Sequence, residues 1–404
     1  MIDSNQLTIL CIASYEKGHE FMRECKRQGC RVILLTSQSI ANSDWPRESL
    51  DEVFLIPDNN KVWNMNDVIS GVSYMCRNIH VDCIVALDDF DLEKAAALRE
   101  HLRIPGMGET TTRFFRDKLA MRIRAKEADI TVPEFVHVLN HDKLREYMNR
   151  VPSPWFLKPR NEASSLGIKK INSQEELWPT LDLLGDKQSF YVLEKYIPGD
   201  IFHVDSIVSE REVVFAKAHK YGHPPFDVAH GGGIFTTCSL EPGAEDELAL
   251  QEANRRVLEA MGLVRGVSHT EFIKGREDGK FYFLETAARV GGANIVELIE
   301  ASTGINLWAE WAKIEVSAGK TAYKLPEMKN NHSGLLISLA RQEYPDTSAY
   351  NDPEIVWRMN RSHHAGLIIS SPSLKRIEEL LASYTERFRN DFYAFQPAPE
   401  RPTS

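Results

Sequence analysis

Two glutamates in one expected hairpin carry the first chemical signal. GVSHTEFIKG (266–275) and KFYFLETAAR (280–289) read as β-strands joined across Glu277, Asp278 and Gly279. A three-residue loop with glycine in the left-handed position suits that sequence. Centring the turn on Asp278 sets Glu271 opposite Glu285, Ile273 opposite Phe283, Phe272 opposite Leu284 and His269 opposite Ala287. Opposed Cβ atoms lie about 4.5–5.5 Å apart, and like charges there are destabilising. A cation between the carboxylates removes that penalty, and oxygen donors shared with phosphates are what Mg2+ prefers. Two solvated glutamates on a wet face are the competing reading. Residues 285, 287 and 289 share one strand face, so Arg289 follows the carboxylate on its own side, just before Gly291 and Gly292.

Four other stretches could handle a phosphorylated ligand. In FLKPRNEASSLGIKK (156–170), Lys158 ends an apolar run, and a loop with Ser164, Ser165 and Gly167 follows. Small residues let backbone N–H groups wrap an anion, and a lysine adds a point charge. The stretch is no Walker A loop, since G-x-x-x-x-G-K-[ST] is absent, and alone it reads equally as a plain hairpin loop. YVLEKYIPGD (191–200) is a strand running into a linker broken by Pro198 and Gly199. Its backbone could meet a flat heterocycle, or it could be an ordinary hinge. RDKLAMR (116–122) places Lys118 on a basic helix that could also be a solvated face. VAHGGGIFTT (228–237) sets three glycines after His230; such a run implies unusual φ/ψ, close approach to a ligand, or simple flexibility.

These residues need elements to hold them. The first hundred residues alternate apolar runs (LTILCIA, CRVILLTS, VFLIP, VDCIVALDD) with helical patterns. Asn66 is a plausible N-cap for the helix over NDVISGVSYMCRNIH. That alternation implies a parallel sheet with right-handed crossovers. No G-x-G-x-x-G follows the first strand, so a dinucleotide site has no support. IPGMG (104–108) is a joint, and TTTRFFRDKLAMRIRAKEA (110–128) reads as one helix. From 151 to 240 the chain is strand-rich, and DELALQEANRRVLEAMG is a helix stopped by Gly262. Near the C-terminus GLLISLA and AGLIISS look like strands, and SLKRIEELLASYTERF like a charged amphipathic helix.

Bulk properties narrow the class. The 404 residues carry 48 − 58 = −10 formal charges, which argues against a surface that coats nucleic acid. Six scattered cysteines include no C-x-x-C pair and no zinc spacing. The N-terminal stretch does not read as a signal peptide, and no apolar run reaches the ~18 residues of a membrane span. A cytoplasmic protein with no membrane partner is expected.

In this order, Lys118, Lys158 with its Ser/Gly loop, the Glu194 hinge, Glu271 and E285…R289…GG resemble the ATP-grasp superfamily, and within it the carboxylate–amine ligases. Single-chain L-amino-acid ligases are the nearest in pattern. The resemblance covers residues 1 to about 320. It implies an ATP-grasp fold (α/β and α+β) with an N-terminal parallel-sheet domain (1–108). An ATP-grasp domain (109–320) would include a small lid over about 131–198, and a C-terminal α+β unit (321–404) would follow. It implies ATP, Mg2+ with Mn2+ as an alternative ion, small-molecule carboxylate and amine substrates, and a homodimer as one assembly.

Residue roles follow from the resemblance. Lys118 and Lys158 would hold the ATP phosphates under a loop containing Ser164, Ser165 and Gly167. Glu194, with the backbone of Lys195 and Ile197, would bind the adenine edge. Glu271 and Glu285 would carry the metal. Arg289 would face the reacting carboxylate, with Gly291 and Gly292 giving close backbone approach. His230 would lie near the transferred phosphoryl group. Two positions depart from the pattern. Ile201 stands where many relatives have an acidic ribose contact, and His203 in F-H-V-D is the expected substitute. Relatives read E-x-N-x-R where this chain has E-T-A-A-R, so Ala287 replaces a metal-binding Asn. From the register, His269 or a water it holds would fill that space; a packed or solvated histidine is the alternative. Use of bicarbonate, as in biotin carboxylases, and a degenerate ATP-binding regulatory protein are the rival functions.

Overall fold

The computed structural model describes residues 6–162 and 166–396. Its first layer holds β1 (Thr8–Ala13), α1 (His19–Arg27), β2 (Arg31–Ser37), β3 (Glu52–Ile56), the small hairpin β4 (Asp58–Asn59) and β5 (Val62–Trp63), α2 (Met65–Met75), β6 (Cys83–Ala86) and α3 (Leu92–Leu102). The strands form a parallel sheet in the order β3-β2-β1-β6. Leu10 and Ile12 enter one core, and Ile9, Cys11 and Ala13 another. Burial on both faces explains why β1 reads as a continuous apolar run. Asn64, not Asn66, caps α2, accepting from Asn66 N at 2.9 Å.

The single helix expected over 110–128 is two, α4 (Glu109–Arg113) and α5 (Lys118–Glu127). Asp117 breaks it by capping: its carboxylate accepts from Leu119 N at 2.9 Å and Ala120 N at 3.3 Å. This satisfies N–H groups that lack intrahelical partners and puts Lys118 on the first turn.

A four-stranded antiparallel sheet follows, built from β7 (Phe135–His137), α6 (His141–Arg150), β8 (Trp155–Pro159), β9 (Lys169–Ile171), α7 (Gln174–Leu184) and β10 (Tyr191–Lys195). Its order is β7-β10-β8-β9. Leu157 and Leu193 bury its inner face with Leu144 and Leu177. Residues 196–198 then lead into a different sheet.

That second sheet takes in β11 (Gly199–Ser209), β12 (Glu212–Tyr221), α8 (Pro225–Gly231), β13 (Phe235–Ser239), α9 (Glu245–Met261), β14 (Gly266–Gly275) and β15 (Phe281–Ala287). It continues through α10 (Ile295–Thr303), α11 (Leu307–Ser317), β16 (His332–Leu339), β17 (Ile355–Arg358), β18 (His364–Ser371) and α12 (Leu374–Asp391). Eight strands run β15-β14-β11-β12-β13-β16-β18-β17. The strands after 321 therefore extend this sheet, through β13 and β16, rather than standing apart. Among the described residues no helix is long and apolar enough to cross a membrane.

The hairpin differs from its expected register in part. Glu271 pairs with Glu285 and His269 with Ala287, but Phe272 pairs with Phe283 and Ile273 with Tyr282. The loop holds four residues, Arg276–Gly279, because Gly275 N bonds Lys280 O at 2.9 Å. That moves the pairing by one residue. A bulge at Leu284 then moves it back before Glu285. Bulges free backbone groups from the ladder, and the Leu284 carbonyl accepts from Arg122.

Candidate active site

Lys118 begins α5 and crosses to the hairpin. Its Nζ lies 2.7 Å from Glu285 Oε2 and donates to the Glu162 carbonyl at 2.7 Å. Burial works against ionisation of Glu285, but Lys118 outweighs it and holds the carboxyl down at about 2. One turn further along α5, Arg122 is fully buried and donates to Glu194 Oε2 at 3.0 Å. Lys158, near the end of β8, pairs with the other oxygen of Glu194. Glu194 is only 1% exposed. Desolvation opposes its charge, yet Arg122 and Lys158 bring it to about 2.

The Glu194 side chain is thus a buried clamp on two cations, while the residue also lines the cleft beside Lys195 and Ile197. Lys195 N–H is also committed, to Glu134 O at 2.8 Å. Lys195 and Ile197 do line a cleft of about 930 Å3, with Lys118, Lys158, Ile201 and Phe226. Gly167 flanks it at φ +68°, where a Cβ would meet Pro159 Cγ at 2.9 Å. Ser164 and Ser165 lie outside the described residues.

A second chamber, about 1150 Å3, adjoins the first. Arg289, Asp89, Arg116 and His269 line it, while Lys118, Glu271 and Glu285 line both spaces. The opposed carboxylates therefore sit where the two cavities meet. Their oxygen donors, on adjacent strands with Lys118 already on one of them, fit a hard divalent cation.

Glu271 Oε1 accepts from Tyr221 Oη at 2.9 Å and lies 3.6 Å from His269 Nε2. The other ring nitrogen of His269 bonds Asp205 Oδ1 at 2.9 Å. Burial would lower the His269 pKa, but Asp205 and Glu271 outweigh it and lift it to about 9. Asp205 also takes His203 Nδ1 at 2.7 Å, and His203 Nε2 meets Thr237 Oγ1 at 2.9 Å. His203 has no exposed surface and no ring nitrogen to spare. It is not a ribose contact: strand alternation points it, with Asp205, beneath the carboxylates.

Arg289 Nε donates to Asp89 Oδ2 at 2.7 Å, and Nη1 to the Val290 carbonyl at 2.7 Å. Gly291 is buried, and a Cβ there would lie 2.9 Å from Asp205 Oδ1. Ile295 Cγ2 would lie 2.8 Å from it as well, and Gly291 is not among the residues lining the chamber. Gly292 is exposed and lines the chamber. His230 is on α8, not in a loop; it stacks on Phe226 at 4.3 Å, and its Nδ1 meets Phe226 O at 3.0 Å. It is exposed and lines neither cavity. Pro225 and Phe226 of the same helix line the first cleft, and Phe226 packs on Phe156 of β8 at 4.9 Å.

Residues 151–297 match the family of ATP-grasp domains. The chain has an ATP-grasp fold. Its whole fold is similar to a crystal structure of an L-amino acid ligase from Bacillus licheniformis (TM-score 0.75, 17% identity), covering 98% of this chain and 100% of that one. In sequence it is similar to an L-arginine-specific L-amino acid ligase of Bacillus subtilis, 26% identical over 66% of this chain and 64% of the relative. Alanine–anticapsin ligase of Bacillus subtilis (strain 168) is 23% identical over 62% and 57%. The chain thus spans less than two thirds of the length of either curated relative.

Within this candidate site, several residues escape a reading of the sequence. Asp89 follows β6 at the carboxyl end of the parallel sheet, the edge where open α/β sheets bind ligands; that placement was a usable signal in V-A-L-D-D. Arg122 lies four residues after Lys118, on the same helix face. Asp205 and Tyr221 gave no signal, because only the pairing of β11, β12 and β14 brings them under Glu271.

Proposed function

We propose that the protein is an ATP- and Mg2+-dependent ligase that activates a carboxylate as an acyl phosphate and couples it to an amine, with amino acids as substrates. The observation that carries this reading is the position of Glu271, Glu285 and Lys118 at the junction of two cavities. A nucleotide in the lid-side cleft would direct its terminal phosphate at that junction. A carboxylate in the chamber would meet the same point from Arg289.

Phosphoryl transfer asks mainly for positioning and neutralised charge. Lys118 and Lys158 would hold phosphate oxygens, and the hinge at 195–197 would hold the base. A divalent ion on Glu271 and Glu285 would supply further charge neutralisation at the phosphates. Arg289 would steady the carboxylate as it attacks the γ-phosphate, giving ADP and an acyl phosphate. An amine would then displace phosphate to form the amide. A substrate ammonium would meet Asp89 as its carboxylate takes Arg289, which favours amino acids over simple acids. The lid strands and α8 would exclude water from the acyl phosphate.

The L-amino acid ligase and alanine–anticapsin ligase relatives support this chemistry. The bicarbonate alternative drew on F-H-V-D, and the burial of His203 removes that support. An ADP-release assay with pooled amino acids tests the proposal. Release that needs two amino acids, with a dipeptide in the mass spectrum, is the expected result. Release with bicarbonate alone, or none under any condition, overturns it.

A further inference from the structure

We infer that His269 Nε2 is the third protein ligand of the divalent ion, in place of the asparagine that Ala287 lacks. The inference rests on the ligase reading of the same site.

Three observations carry it. First, His269 and Ala287 are directly paired across the hairpin, two residues from the Glu271–Glu285 pair. Alternation puts all four side chains on one face, and the methyl of Ala287 leaves room beside them. Second, His269 Nδ1 is anchored at 2.9 Å to the buried carboxylate of Asp205. Metal-bound histidines almost always donate their other ring N–H to such a group, which fixes ring orientation. Third, Nε2 faces Glu271 Oε1 at 3.6 Å, an ion-pair contact longer than a direct hydrogen bond, and the residue lines the chamber beside both glutamates. A common ion could therefore stand between Nε2 and the carboxylates.

The neighbouring histidine cannot play this part. His203, Asp205 and His269 form a group of potential ligands, but His203 has both nitrogens engaged, by Asp205 and Thr237. Of the two, His269 presents a free edge towards Glu271. A nitrogen donor also shifts metal choice: imidazole suits transition ions, whereas Mg2+ takes oxygen. The site should favour Mn2+ over Mg2+ more than an all-oxygen site does.

Pulsed EPR on the full chain with Mn2+ and ADP tests this without relying on turnover. The expected result is nitrogen coupling at Mn2+ that changes when the protein is made with 15N-histidine, which requires no variant. His269→Gln should lose the coupling and bind Mn2+ roughly 10–100-fold more weakly in the presence of ADP. The double variant His269→Gln/Ala287→Asn should regain affinity without the coupling. Mn2+–ADP that binds with no histidine coupling, or a coupling that survives in His269→Gln, overturns the inference alone. No Mn2+–ADP binding at all overturns the ligase reading with it.

Discussion

Arg289 and Asp89, 200 residues apart, meet at a single oxygen: Nε lies 2.7 Å and Nη2 2.6 Å from Asp89 Oδ2. Asp89 Oδ1 has no hydrogen-bond partner. The pair joins the end of β6 to the strand that carries Glu285. Burial disfavours both charges, but each holds the other ionised: Asp89 lies below its usual range and Arg289 above it. Arg289 is therefore held in the chamber as a fixed cation, and a carboxylate entering as proposed would share it with Asp89.

Arg289→Ala should lower kcat by at least roughly 100-fold, the scale of losing one transition-state donor. ADP affinity should change little, because Arg289 lines the chamber and not the nucleotide cleft. Calorimetry with ADP beside a turnover assay separates the two effects. A loss of nucleotide affinity that matches the loss of rate would contradict the assigned role.

Asp89→Asn should raise KM for an amino-acid substrate by roughly tenfold or more, as expected for losing a hydrogen bond to a charged group. The matched acid lacking its amine should be used no worse than by the wild type. Comparing kcat/KM for the two acids checks this. An equal fall for both would place Asp89 only behind Arg289, as a support for the guanidinium.

Glu285→Gln removes the negative charge proposed to hold the metal and the ion-pair partner of Lys118 together. Turnover should become limited by Mg2+ over a range that saturates the wild type. A Mg2+ titration at fixed ATP reads this directly, and an unchanged curve would remove Glu285 from the metal site.

The N-terminal parallel sheet, the strand-rich middle and the lysine and carboxylate positions were legible because each rests on a local signal. An apolar run bounded by glycine gives a strand, and a charge at its end marks a mouth. The Glu271–Glu285 pairing was reached through a turn one residue too short, and the bulge at Leu284 cancelled that error. Neither the four-residue loop nor the bulge leaves a period in the sequence. His203 misled because a histidine on a strand looks the same whether it faces a ligand or a neighbouring strand. Only the fold shows that Asp205, two residues along β11, and Thr237, on β13 beyond β12, consume it. His230 failed for another reason: the glycines that suggested a loop begin inside helix α8.

Glu194 gives a stability prediction with a definite sign in pH. Its carboxyl is depressed from an ordinary 4.5 to about 2 in the folded protein. A depressed acid stabilises the fold above its unfolded pKa, and that contribution is lost as pH falls through the folded value. Glu194→Gln leaves Arg122 and Lys158 without their shared counter-charge, and breaking a buried pair costs roughly 3–5 kcal/mol. Urea unfolding at pH 7 should show a loss of that order. The gap between wild type and variant should then shrink as pH falls from about 4.5 towards 2, because only the wild type loses this contribution there. A gap that stays constant over that window would mean Glu194 is not ionised in the fold. The same variant should release Lys158 towards the nucleotide cleft, so ADP affinity at pH 7 should hold or rise even as stability drops. A parallel loss of both would assign Glu194 to the nucleotide rather than to the clamp.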